Sequence, residues 1–193
     1  KMRLLHEFIQ SLDLDYDYKK ITEIYEFIEE NINQRNGSTK SLAAALWLYA
    51  DEKTIEIIPS RKQETEAVNN MEIEISGEGE YQFGEHTFVI RKYEEKELFV
   101  FPESTSKFAY VDFSRVKFPL LLRTRKDGDV ISPFGMSGSM KLKKYLNSKG
   151  IPRHNRNTLM LLCRGEEVLW AVGVGLSSKI AVKDKPTHVV EVI

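Results

Sequence analysis

At Met71 the period of the sequence changes. Upstream, apolar residues recur at helical spacing: Leu4, Leu5, Phe8, Ile9 and Leu12, then Ile21, Ile24, Tyr25, Ile28 and Ile32. From Met71 onward, Met71, Ile73 and Ile75 alternate with Glu72 and Glu74, and Tyr81 and Phe83 resume the alternation after a Gly77-Glu78-Gly79 turn. A period of about 3.6 lines one face of a helix, whereas a period of two lines one face of a sheet, so no single element type spans the change. The chain is therefore expected to be α+β: a helical-hairpin domain over residues 1–65, then a mixed β-sheet domain over 66–193.

The first part predicts a helix over about residues 2–12 and a second one capped at its start by Asp17 and stopped near Asn36-Gly37. Leu42–Tyr49 and Thr54–Ile58, on either side of Asp51-Glu52-Lys53, predict a β-hairpin, and the polar run Arg61–Asn70 a linker. In the second part, strands are expected at Thr87–Arg91, Leu98–Phe101, Phe108–Asp112 and Pro119–Thr124. With the alternating segment before them and short polar connections between them, they read as a meander. Met140–Lys149 predicts a helix with Leu142, Tyr145 and Leu146 inward and Lys141, Lys143 and Lys144 outward, closed by Gly150 and Pro152. Leu159–Cys163 and Val168–Val172 form a hairpin pattern about Arg164-Gly165-Glu166-Glu167, and Ile180–Val182 and Val189–Ile193 complete the expected sheet.

Charge is distributed unevenly. Between Arg115 and Arg156 stand eleven Lys or Arg and two acids, a local net of +9 in a chain whose total is -1, so the remainder sums to -10. Such an asymmetry points to a polyanionic partner, and nucleic acid is the commonest polyanion. Arg123, Arg125 and Lys126 at a strand end, followed by Lys141, Lys143 and Lys144 on a helix, make two cationic ridges joined by the loop Pro133–Ser139. Phe134 and Met136 on that loop are of a kind to stack or wedge, or to enter the core. Asp127 and Asp129 flank Gly128 in a turn, where Asp serves local hydrogen bonding rather than catalysis.

Other chemistries find little support. Gly135 and Gly138 lack the glycine spacing of a phosphate-binding P-loop, and Leu142 follows Lys141 where a Ser or Thr is needed. Gly173-Val174-Gly175-Leu176-Ser177-Ser178 ends in a serine and is not a complete dinucleotide fingerprint. His6, His86, His154 and His188 show no metal-ligand spacing. The lone Cys163 has no internal partner, which fits a reducing cytoplasm. No apolar run approaches the roughly 20 residues that span a bilayer, so no membrane partner is expected. Lys1 is not an initiator and a helix is already under way at Leu4, which predicts a piece of a longer protein.

The basic stretch resembles the C-terminal region of bacterial tRNA(Ile)-lysidine synthetase. The resemblance is carried by Phe118-Pro119-Leu120, Arg123-x-Arg125-x-x-Gly128-Asp129, Pro133-x-Gly135-Met136 and Lys141-Leu142-Lys143-Lys144. It continues through Lys149-x-Ile151-Pro152-Arg153, Arg156, Trp170-x-x-Gly173, Ser177 and Val182. Residues 108–182 hold its sharp part, and Met160 and Leu176 stand where the family often has proline and arginine. The resemblance implies part of an ATP-dependent cytoplasmic ligase that attaches lysine to the wobble cytidine of a tRNA(Ile) bearing CAU. Adenylation in that family belongs to an N-terminal PP-loop domain with an S-G-G-x-D-S run, which does not occur here. ATP and Mg are therefore implied for that other domain, with no cofactor or catalytic residue in this chain, which by itself is expected to be inactive. The resemblance further implies a sheet domain like the central domain of the phenylalanyl-tRNA synthetase β subunit. It makes Arg123, Arg125, Lys126, Lys141, Lys143, Lys144, Lys149, Arg153 and Arg156 contacts to tRNA, with Gly128, Gly135 and Gly138 shaping the loop. The expected partners are tRNA and the enzyme's own PP-loop domain, with a homodimer left open. The alternative reading is a stand-alone RNA- or protein-binding module without enzymatic activity.

Overall fold

Asp17 starts the longer of two N-terminal helices. Its carboxylate accepts from the Lys20 N–H at 2.7 Å, satisfying one of the donors a helix start leaves unpaired and contributing about 1 kcal/mol. The computed structural model describes residues 1–34, 37–44, 46–59, 71–96, 100, 102 and 106–193, which divide between two compact units, Lys1–Lys62 and Gln63–Ile193.

In the first unit, α1 (Met2–Ser11) and α2 (Tyr18–Asn31) bring Ile9 and Ile24 into a core with Leu42 and Leu48 of an antiparallel sheet. That sheet has three strands in sequence order, β1 (Ser38–Ala43), β2 (Leu46–Ala50) and β3 (Ile55–Pro59), where a two-stranded hairpin was expected. The strand missed is the polar one: Ser38-Thr39-Lys40-Ser41 pairs by its backbone with Trp47–Ala50 and buries only Leu42 in the core. The β2–β3 turn is held by Asp51, which accepts from Tyr49 Oη at 2.6 Å, Lys53 N at 2.8 Å and Thr54 N at 2.7 Å.

The second unit contains two sheets. Its strands are β4 (Glu72–Ile75), β5 (Gly79–Phe83), β6 (His86–Lys92), β7 (Phe108–Val111), β8 (Leu120–Arg123), β9 (Val130–Ile131), β10 (Met140–Lys141), β11 (Leu161–Arg164), β12 (Glu167–Ala171), β13 (Gly175–Leu176) and β14 (His188–Val192). The larger sheet runs β10-β9-β12-β11-β8-β4, with β13 also on β12; its β9–β12 pair is parallel. The smaller, antiparallel sheet runs β5-β6-β14-β7.

The expected meander is thus replaced by a sheet switch. Ile75 pairs with Leu120, the chain turns at Gly77-Glu78, and β5 joins the other sheet. Alternation reports which face of a strand is buried but not which neighbour it pairs with, and here both sheets serve one core. Ile75, Leu122 and Leu162 of the larger sheet cluster with Phe88, Ile90 and Val190 of the smaller, and the Phe88 and Trp170 rings lie 6.0 Å apart. The expected strand Ile180–Val182 is not one: Ile180 sits in a turn whose carbonyl accepts from the Asp112 N–H at 2.9 Å, and Val182 packs with Tyr110 and Val189. Ile180 and Val182 fill gaps between elements without forming a ladder of their own. The expected strand Leu98–Phe101 falls mainly outside the described residues, as do the expected linker 61–70 and Asn36 of the helix stop.

The opposite face of the larger sheet carries α3 (Leu142–Ser148). Leu142, Tyr145 and Leu146 pack there with Ile131, Leu161, Cys163 and Val168. Strand β11 is thus buried on both faces, Leu162 toward one core and Leu161 and Cys163 toward the other, which accounts for its unbroken apolar run. The approach is close: a Cβ on Gly175 would collide with the Tyr145 hydroxyl. Burial pushes the Cys163 thiol up to about 12, so it is an inert core group at neutral pH.

Three buried or half-buried ionisable groups set an expected acid response. Burial pushes His188 below its ordinary 6.5, only partly opposed by the Glu78 carboxylate. Burial raises Asp51 and Asp112, but hydrogen bonds from Tyr49, Lys53 and Thr54 to the first and from Ser114 to the second outweigh it, leaving both below 3.8. Each group binds protons more readily in the unfolded chain, so each contributes stability that is full above its unfolded pKa and lost as pH falls through the lower folded value. Urea unfolding of the second unit, followed by Trp170 in a W47F background, should show stability declining from about pH 6.5 downward, with a further decline below about 3.8. The H188Q variant should lack the first decline; an unchanged profile in that variant removes His188 as its cause.

Candidate nucleic-acid interface

The basic stretch folds around a buried ion pair. Arg123, at the end of β8, is 1% exposed, and its guanidinium meets both oxygens of Asp129, Nη2 to Oδ1 at 2.7 Å and Nη1 to Oδ2 at 3.0 Å. Nη1 also donates to the Thr124 carbonyl at 2.9 Å and Nη2 to the Gly165 carbonyl at 3.0 Å. Asp129 Oδ2 accepts from the Lys126 N–H at 2.8 Å, and its main-chain carbonyl accepts from the Leu142 N–H at 2.8 Å. One fork-shaped cation thus joins the turn 126–129, the hairpin turn at Gly165 and, through Asp129, the start of α3. Burial opposes the Arg123 charge, but the Asp129 hydrogen bond and the surrounding charges outweigh it and push its pKa up.

The far end of α3 is tied in a similar way. Gly150 (φ 70°) follows the helix, its N–H donating to Asn147 O at 3.1 Å and that of Ile151 to Leu146 O at 3.0 Å, the paired bonds of a Schellman end. Arg156, 6% exposed, donates from Nε to the Ile151 carbonyl at 2.7 Å and from Nη1 to Asn147 Oδ1. Arg123 and Arg156 were expected to meet phosphate; both are corrected here to buried ties that hold the framework.

The other expected contacts lie at or near the surface. Lys126, Lys141, Lys143, Lys144, Lys149 and Arg153 are exposed and Arg125 is half-buried. Arg125 pairs with Asp127 at 3.3 Å and Lys126 with Glu72 at 2.5 Å, while Lys141 Nζ donates to the Gly128 carbonyl at 3.3 Å. Lys149 lies over the Tyr145 ring at 5.7 Å. Lys143 and Lys144 have no ion-pair partner among the described residues, so α3 presents adjacent unneutralised charges. The loop glycines Gly128, Gly135 and Gly138 take φ of 101°, 80° and 83°, in the region closed to most side chains.

Sequence reasoning passed over Arg164 and Lys179. Both line an open groove of about 630 Å³ beside the glycine-rich loop, with Ser132, Ser139, Glu167 and Ser178. Their signal was weak because each lies outside Arg115–Arg156, and Arg164 is followed closely by Glu166 and Glu167. Among the described residues no His, Cys, Asp and Glu cluster is placed to hold a metal ion, and no helix is long and apolar enough to cross a membrane.

Residues 120–192, from β8 to the last strand, match the family described as the TilS substrate C-terminal domain. Over that segment the second unit is similar to a TilS C-terminal domain. The tRNA(Ile)-lysidine synthase of Parabacteroides distasonis is 36% identical over 87 residues, 45% of this chain and 20% of that protein. The tRNA(Ile)-lysidine synthase of Clostridium perfringens is 24% identical over 193 residues, 95% of this chain and 40% of that protein. The matched segment thus spans about a fifth of the first relative and 40% of the second. A solved structure, "Crystal structure of TILS C-terminal domain", is similar with a TM-score of 0.43 and 21% identity, over 55% of this chain and 82% of that one.

Proposed function

We propose that this chain is the tRNA-docking part of a cytoplasmic ligase that uses ATP to attach lysine to the wobble cytidine of tRNA(Ile) with a CAU anticodon. The observation that carries the reading is a coincidence of position: the segment matching the TilS substrate C-terminal domain is also the segment that displays Lys141, Lys143, Lys144 and Lys149 on the surface. The chain's own task is positioning. Phosphate contacts from the exposed cations set the register of the RNA, and adenylation belongs to a PP-loop domain elsewhere in the enzyme, with its ATP and Mg. An RNA duplex hides its base edges in a deep groove, so recognition here is by shape and backbone. The same reading carries the likeness of the sheet domain to the central domain of the phenylalanyl-tRNA synthetase β subunit.

The test is equilibrium binding of this chain to tRNA(Ile) with a CAU anticodon and to initiator tRNA(Met), each at two salt concentrations. Binding that weakens steeply with salt is expected, because each neutralised phosphate releases counterions. Absence of binding at low salt sinks the docking role for this chain by itself.

A further inference from the structure

Strand β4 delivers a carboxylate to the basic surface. Ile73 and Ile75 pack in the core shared by the two sheets, so Glu72 and Glu74 point to the other face of the larger sheet, the one that carries α3. Glu72 lies opposite Arg123 in the β4–β8 ladder. Its Oε2 meets Lys126 Nζ at 2.5 Å and stands 3.9 Å from Arg123 Nε. Arg123 is already held by both oxygens of Asp129, so Lys126 is the partner that Glu72 engages. The two residues are 54 positions apart in the chain, and backbone pairing of β4 rather than the turn around Lys126 sets where the carboxylate stands. The pair is open to solvent, with the Lys126 side chain 58% and that of Glu72 37% exposed. Lys143 and Lys144 have no such partner among the described residues. The basic surface thus holds two kinds of cation: unneutralised ones on α3, and one that already carries a carboxylate of the same chain.

We propose that Glu72 is an internal competitor for Lys126, occupying it in the free protein and yielding it to an RNA phosphate in the complex. Two considerations make the pair one that exchanges rather than one that locks. A solvent-exposed lysine–carboxylate pair gains little over its hydrated, separated state. A phosphate of an RNA already held on α3 arrives at high local concentration. The consequence lies in counterions. A free lysine that meets a phosphate releases close to one condensed cation from the RNA. When Lys126 leaves Glu72, the freed carboxylate draws a cation back, so net release at this position is near zero. Glu72 therefore lowers the affinity for RNA, removes Lys126 from the salt dependence and speeds release of a bound RNA. The inference rests on the docking role proposed above and assigns to it a residue that tunes how tightly the RNA is held.

The experiment measures binding of tRNA(Ile) with a CAU anticodon over a series of salt concentrations for the wild type, E72Q, K126A, E72Q/K126A and E74Q. Glutamine keeps the shape of the Glu72 side chain and Arg123 keeps Asp129, so E72Q should unfold in urea like the wild type. E72Q is expected to bind about fivefold more tightly at low salt, with a salt slope steeper by about 0.9. E72Q/K126A should return to the wild-type slope, because the gain needs the lysine. K126A alone should leave the slope unchanged, where a lysine meeting phosphate without a competitor would make it shallower by about 0.9. Glu74 lies on the same face with no ion-pair partner among the described residues, so E74Q controls for net charge and should not steepen the slope. An unchanged slope in E72Q, an equal steepening in E74Q, a steepening that survives in E72Q/K126A, or a shallower slope in K126A overturns this inference and leaves the docking role intact. Failure of the wild type to bind at low salt overturns the docking role and this inference with it.

Discussion

The R123A variant is expected to lose about 3–5 kcal/mol of stability in the second unit, because it strands the Asp129 carboxylate without its partner in a buried site. Arg123 and Asp129 side chains are each 2% exposed, so water offers little compensation for the lost pair. The Gly165 and Thr124 carbonyls lose a donor at the same time. Urea unfolding read from Trp170 fluorescence should show a midpoint lower by at least about 1 M. The paired replacement R123M/D129L should recover part of that loss, since removing both charges of a buried pair is far milder than removing one, though the Lys126 N–H then lacks its acceptor. A loss of less than about 1 kcal/mol in R123A would mean that the pair is hydrated in solution and does not hold the turn.

Reversing two charges on α3 should have the largest effect on binding. K143E/K144E is expected to weaken tRNA binding by roughly one to two orders of magnitude at low salt, and to make the salt dependence shallower by about 1.5 in slope. Both lysines are exposed and neither has an ion-pair partner among the described residues, so the variant should fold as before. A matched reversal at Lys183 and Lys185, which lie outside the basic segment, controls for net charge. Equal losses in the two variants would show that overall charge, not this helix, governs binding.

Local features were legible in the sequence to different degrees. The inward set Leu142, Tyr145 and Leu146 followed from helical spacing, and the Asp17 cap from its chemistry. Arg123 and Arg156 were misread for one physical reason. Sequence shows a charge but not its depth, and their acceptors include main-chain carbonyls such as Gly165 and Ile151, which carry no residue signature. The start of α3 was misjudged by two residues because Met140 and Lys141 pair with Ile131 and Val130, a contact that periodicity cannot foresee. The switch of β4 and β5 between sheets was hidden likewise, since both strands bury their apolar faces in the same core.

The ties at the two ends of α3 have a consequence for how this surface can change over time. A helix of seven residues has little stability in isolation, and here its position depends on Asp129 and Ile151 carbonyls, two buried arginines and three inward side chains. None of these involves the side chains of Lys143 or Lys144. The outward positions of α3 can therefore be rewritten, by selection or by an engineer, without disturbing the scaffold beneath. The fold behaves as a mount whose display is interchangeable, able to change what it presents while its fixings stay the same.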